Sequence, residues 1–264
     1  KLLGRTVQMN IDHQALFLPL TKWTTRANAG NMGDIILKAA GIAVAELPGS
    51  VHIGIPAGIG QQPAIEDKIS INYLRVEKAY LKRPNPDSLS RMEVLFRHSK
   101  KPLIVIGLTA IRAGVENLIL ELAEKYQIPV VLTPMAKGIF PEEHFLYTGV
   151  LFHALSNLVA RTYAEADLII GIGYDSIEFN YEDWIPAVPL IHINTIPADV
   201  DKTQIPNVVN VIDDLKHSIS HLLDSDTGIK TWDIEILIQR KKELFERPMN
   251  GSCSYHPDKD KLKI

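Results

Sequence analysis

The chain has 264 residues, 46% of them hydrophobic and 22% charged, with 28 basic against 31 acidic side chains. That length allows one or two cores, the charge balance gives no basic surplus that would point to nucleic acid, and no apolar stretch reaches the roughly 18 residues of a membrane span. The single cysteine, Cys253, excludes an internal disulfide; with no secretory signal pattern it points to a reducing, cytoplasmic setting, and a start at Lys1 rather than Met reads as a trimmed chain.

In chain order, residues 1–60 read as one segment. Asn31 is placed to cap a helix running to about Leu47, with Ile35, Ile36, Ala39, Ala40, Ala43 and Val44 on its apolar face. Pro48-Gly49 stops that helix, and Val51–Ile55 follows as a short strand ended by Pro56. One helix and one strand cannot close a sheet, so this part is expected to be the remnant of a second α/β domain with an orphan strand. Residues 61–86 have lost periodicity and read as a linker.

From Asp87, taken as an N-cap, a helix is predicted to about Ser99. Residues 101–138 then form a β-α-β unit. Its first run, Leu103–Ile106, ends in Gly107. The crossover helix, about Ala113–Tyr126, has Val115, Leu118, Ile119 and Leu122 on one stripe. The second run, Ile128–Leu132, leads to Thr133-Pro134. A helix over about Ser156–Ala166, strands Asp167–Gly171, Leu190–Ile193 and Val208–Val211, and a helix Asp213–Leu223 complete a domain over 87–224. Such alternation predicts an α/β fold with a doubly wound, mostly parallel sheet and a crevice at the carboxyl ends of its strands. Residues 225–264 are expected to hold a helix, Trp232–Phe245, with Ile234, Ile236, Leu237 and Leu244 inward, then a tail from Glu246 that reads as linker.

Two strand exits contain the glycines that a phosphate-cradling turn needs. The turn Gly107-Leu108-Thr109-Ala110 has one glycine, and Gly171-Ile172-Gly173-Tyr174-Asp175 has two; neither is a G-x-G-x-x-G. Both read first as tight strand exits and second as a nucleotide site. The nine histidines are dispersed. His217 and His221 have metal-compatible spacing but sit on an ordinary surface helix, so no metal site is predicted. Ser218 and Ser220 lack nucleophile-elbow glycines. Asp213-Asp214 reads as a helix cap.

Longer stretches carry a resemblance. HQALFLPLTKW (His13–Trp23) and LPGSVHIGIP (Leu47–Pro56) are similar to the end of the pyrimidine-binding domain of thiamine-diphosphate enzymes. TPMAKGIFPEEHFLYTGV (Thr133–Val150), ADLIIGIGYDSIEFNYEDW (Ala166–Trp184) and PLIHINTIPADVD (Pro189–Asp201) resemble the central domain of the acetolactate synthase family, closest to its catabolic, FAD-independent members. SYHPDKDKLKI (Ser254–Ile264) resembles the entry to the pyrophosphate-binding domain. The resemblance implies a six-stranded Rossmann-like central domain and a piece cut from the middle of a larger enzyme. That parent would use thiamine diphosphate and Mg²⁺ to decarboxylate pyruvate and join it to a second 2-oxo acid, in branched-chain or acetoin metabolism, as a homodimer or tetramer.

The departures matter as much. The family's activating glutamate and its G-D-G…N metal motif do not occur here, so no catalytic residue is assigned and the chain alone is expected to bind no cofactor and to be inactive. Flavin-binding relatives have an arginine after the fourth-strand glycine and a glycine-rich first turn, where this chain has Tyr174 and Leu108-Thr109-Ala110. That argues against FAD and for a vestigial dinucleotide crevice marked by Gly107, Thr133, Gly171, Gly173 and Asn194. Lys22 and Gln8 resemble residues that face the family's substrate channel; for Lys22 an ordinary solvated lysine is the competing reading. Three alternatives stay open: a module binding FAD, NAD or ADP, an assembly piece pairing through the Val51–Ile55 edge, or a parent of the pyruvate oxidase, glyoxylate carboligase or 2-oxo acid decarboxylase type.

Overall fold

The computed structural model describes residues 11–45, 47–63, 84–151, 156–174, 178 and 187–245. The chain falls into two compact units divided between Leu81 and Lys82.

The first unit contains α1 (His13–Phe17), β1 (Trp23–Arg26), α2 (Met32–Val44) and β2 (Val51–Gly54). Asp12 caps α1 by accepting from the Ala15 amide at 3.1 Å. The strand at 51 is not an orphan: β1 pairs with it in parallel, from Trp23 opposite Val51 to Arg26 opposite Gly54. β1 escapes sequence reading because Trp-Thr-Thr-Arg is only part-buried and shows no apolar alternation. The helix also ends earlier than expected. Ala45 turns extended at ψ 153°, and the freed carbonyls find other donors: Gly49 N–H reaches the Ala43 carbonyl at 2.9 Å. The buried face of α2 is Ile35, Leu37 and Ala39, while Ile36 and Val44 are exposed.

The second unit holds strands β3 (Pro102–Ile106), β4 (Val130–Leu132), β5 (Tyr147–Val150), β6 (Leu168–Ile172), β7 (Leu190–Asn194) and β8 (Val208–Ile212). They form one six-stranded sheet in the order β5-β4-β3-β6-β7-β8, and every neighbouring pair is parallel. This is the doubly wound topology the alternation predicts. β3, β4, β6 and β7 are buried along their whole length; β3, β4 and β6 read as continuous apolar runs for that reason, while β7 also buries His192 and Asn194. The edge strand β8 alternates between buried and half-buried positions.

Helices α3 (Pro86–His98), α4 (Leu108–Ala113), α5 (Glu116–Tyr126), α6 (Ser156–Glu165), α7 (Leu215–Leu223) and α8 (Ile234–Phe245) cover the sheet. α7 packs on α3 and α5, whereas α6 and α8 lie against β5. Three local expectations change. Asn85, not Asp87, caps α3: its side chain accepts from the Asp87 amide at 2.9 Å and Pro86 fills the first helical position. The crossover is two helices, because Gly114 takes a left-handed φ of 62° and ends α4. β5 is an edge strand missed in the Thr133–Val150 loop. Its register shifts against β4, and Gly149 sits at φ 117° against Leu244 and Val159, so no strand period shows.

Residues past 224 belong to the same core. Lys230 N–H donates to Tyr126 O at 2.9 Å and Thr231 N–H to Lys100 O at 2.8 Å. Trp232 Nε1 donates to Pro102 O at 2.7 Å. The Lys230 ammonium closes the end of α3, donating to Phe96 O at 2.6 Å and Ser99 O at 3.1 Å; burial holds its pKa below the ordinary lysine value, opposed by the Asp167 carboxylate. On α8, Leu237 is 1% exposed but Ile236 is 44% exposed, so the expected inward stripe loses one member.

Two buried tyrosines make opposite use of their hydroxyls. Tyr126 Oη lies 2.8 to 3.1 Å from the carbonyls of Leu222, Leu223 and Ser225. Tyr163 Oη is buried with no hydrogen-bond partner among the described residues, and burial pushes its pKa well up. Tyr126→Phe is expected to cost about 1–2 kcal/mol, while Tyr163→Phe stays near neutral or stabilises. Urea unfolding of both variants separates them, and equal losses would contradict the assignment.

Candidate functional site

The order of the sheet reverses between β3 and β6, and in open α/β sheets ligands settle at the carboxyl side of such a switch point. Gly107, Thr133, Gly173 and Asn194 do meet at these strand exits. Gly171 does not: it lies inside β6, paired with Val105 and His192.

The exits are tied to one another. Gly107 N–H donates to Ile172 O at 3.0 Å, Thr109 N–H to Gly173 O at 3.0 Å, Gly173 N–H to Ile193 O at 2.8 Å and Thr133 N–H to Ile106 O at 2.9 Å. Asn194 Nδ2 donates to Tyr174 O at 2.6 Å. A Cβ on Gly107 would stand 2.4 Å from Tyr174 Cα, and one on Gly173, whose φ is 59°, would stand 2.2 Å from Ala110 N. The glycines are therefore required by the packing of two loops on each other, with no room between them for a ligand.

Sequence reasoning missed Glu178. Its carboxylate accepts from Leu108 N–H at 2.8 Å and from the Thr133 hydroxyl at 2.6 Å. It also lies 2.7 Å from where a Gly107 Cβ would be. No spacing rule would find it, since it stands 70 residues beyond Leu108 in an unpatterned stretch. A dinucleotide phosphate needs open N–H donors at this place. Here Leu108, Thr109 and Ala110 have all committed theirs, the last to Gly107 O. The residues present do not fit a dinucleotide.

In the first unit a recess of about 780 Å³ opens at the carboxyl ends of β1 and β2, with Asp12, His13, Arg26 and His52 on its lining. His52 Nδ1 is 2.9 Å from Thr24 Oγ1, and its ring stacks on Phe17 at 4.2 Å. Lys22 is exposed, yet its ammonium is engaged: Nζ donates to Ala45 O at 3.0 Å and Leu47 O at 2.6 Å, closing the end of α2. Gln8 lies outside the described residues, as do most of the 61–86 linker, the tail from Glu246, Cys253 and Asp175.

His217 Nδ1 pairs with Asp213 at 2.5 Å and His221 Nε2 lies 3.7 Å from Glu93. Of the two aspartates read as a cap, Asp214 caps α7, accepting from Lys216 N–H. Among the described residues no three His, Cys, Asp or Glu side chains gather to hold a metal ion, and no helix is long and apolar enough to cross a membrane.

Residues 89–222, just over half of the chain, match the family described as thiamine pyrophosphate enzyme, central domain. The sequence is similar to the probable acetolactate synthase large subunit of Methanocaldococcus jannaschii, 29% identical over 252 residues covering 92% of this chain and 42% of that protein. It is also similar to the acetolactate synthase of Arthrospira platensis, 28% identical over 267 residues, 95% of this chain and 43% of that one. The fold resembles benzoylformate decarboxylase from Polynucleobacter necessarius, with a TM-score of 0.61 at 22% identity over 88% of this chain and 43% of that chain. The chain thus spans about two fifths of the length of these relatives.

Proposed function

The chain belongs to the thiamine pyrophosphate enzymes through its central domain, and from that premise we propose that it is the middle portion of an acetolactate synthase-like enzyme. The observation that carries this reading is the similarity to acetolactate synthases across both units, 92% of the chain in one alignment. On this reading residues 1–60 end a pyrimidine-binding domain, 61–86 link it to the central domain that begins at 87, and the chain beyond the segment around Trp232 that packs on that domain's core leads toward a pyrophosphate-binding domain. The whole enzyme, a cytoplasmic homo-oligomer, would decarboxylate pyruvate and join the fragment to a second 2-oxo acid. Thiamine diphosphate with Mg²⁺ would supply the electron sink for that chemistry. Neither group is assigned to particular residues of this chain, and no step is routed through them. The central sheet acts as a scaffold, and Lys22 and Gln8 are the candidates to face the substrate channel.

The test compares this chain with a longer polypeptide carrying the flanking domains, each given thiamine diphosphate, Mg²⁺ and pyruvate. The longer protein is expected to form acetolactate and this chain none. Acetolactate from this chain alone would refute its scaffold role, and pyruvate consumption by the longer protein without acetolactate would refute the synthase reading. In the longer protein, Lys22→Met is expected to lower the rate at least tenfold with little change in melting. If melting falls and the rate holds, Lys22 only caps α2.

A further inference from the structure

We propose that Glu178 is a built-in counter-anion that closes the switch-point crevice, so that this central domain excludes adenine dinucleotides. This stands independently of the acetolactate synthase reading, because it rests only on the geometry of the strand exits.

Three observations converge. The carboxylate takes a backbone N–H at the exit of β3 and a hydroxyl at the exit of β4 with its two oxygens, 2.8 Å from Leu108 N and 2.6 Å from Thr133 Oγ1. Those are two donors from different strands, arranged to hold an anion of carboxylate or phosphate type. The exit of β6 lies directly against the exit of β3, leaving no gap beside Gly107 or Gly173. Asn194, the polar side chain at the exit of β7, is committed to Tyr174 O and Thr195 N–H. A nucleotide phosphate arriving here would have to displace a carboxylate already bound by the donors it needs, and would meet that like charge at close range. A fold that elsewhere cradles dinucleotides is thus satisfied internally, and the carboxylate fastens the exits of β3 and β4 from a residue beyond β6.

The native chain is titrated calorimetrically with FAD, NAD and ADP. Glu178→Ala and Glu178→Gln are then followed by thermal melting with added sodium acetate or acetamide. The native protein is expected to show no saturable binding. Glu178→Ala is expected to melt roughly 5 °C lower, with acetate restoring more of the loss than acetamide, because the vacated seat selects an anion. Glu178→Gln, which keeps shape and loses charge, is expected to melt between the two. Saturable binding of any of the three nucleotides with a Kd below about 1 mM would overturn the proposal. So would an unchanged midpoint for Glu178→Ala, or equal rescue by acetate and acetamide. Should Glu178→Ala not fold, a native-like midpoint for Glu178→Gln would show that the charge is dispensable and overturn it equally.

Discussion

Gly107→Ala is expected to cost the second unit more than about 3 kcal/mol, beyond the usual range for overpacking, and to leave it largely unfolded at 37 °C. The backbone at Gly107 is extended, with φ −117° and ψ −178°, a conformation open to any residue. The requirement comes from space alone. An added methyl would lie 2.4 Å from Tyr174 Cα and 2.6 Å from Gly173 O, both backbone atoms. Neither can retreat easily, since β3 and β6 are adjacent central strands paired from Pro102–Leu168 to Ile106–Ile172. Gly114→Ala is the informative control. Gly114 has a left-handed φ of 62° and nothing within 4 Å of its would-be Cβ, so it pays only for conformation, about 1–2 kcal/mol. Denaturant unfolding of both variants decides the matter: a Gly107 loss no larger than the Gly114 loss would mean that the two loops separate readily, and the closed crevice would fail with it.

Trp232→Ala is expected to cost about 3–5 kcal/mol, as for a buried aromatic truncation. The indole is buried, and its Nε1 donates to the carbonyl of Pro102, the first residue of β3. Its neighbours Lys230 and Thr231 bind Tyr126 and Lys100 through their backbone. The segment therefore joins α5, the start of β3 and the end of α3 in one place, although it lies beyond the residues that match the family. Ile236→Ala, four positions on and 44% exposed, is expected to change stability by about 0.5 kcal/mol at most. A Trp232→Ala loss under 1 kcal/mol would show the segment to be peripheral, with the unit complete near residue 224.

The two glycine-bearing exits show where sequence reading was sound and where it stopped. Both do leave strands at the switch point, where β3 and β6 are neighbours. The reason each remaining glycine is there could not be read. Gly173 is needed because the backbone N of Ala110, far earlier in the chain in the first turn of α4, passes 2.2 Å from its would-be Cβ. Lys22 is similar: it is weighed as a channel residue or a solvated lysine, and its ammonium donates to the carbonyls of Ala45 and Leu47, just past the end of α2 and more than twenty residues away.

By itself the sequence determined the doubly wound α/β architecture, the central strands and the stripe Val115, Ile119 and Leu122. Those features are written locally, since burial on both faces forces a continuous apolar run and burial on one helix face forces a 3.6-residue period. The tertiary structure alone decided the pairing of β1 with β2, the edge strand β5, the insertion of Trp232 and the seating of Glu178. In each of these the stabilising partner is distant in the chain, and a hydrogen bond or a close backbone approach leaves no periodic mark on the residues that make it.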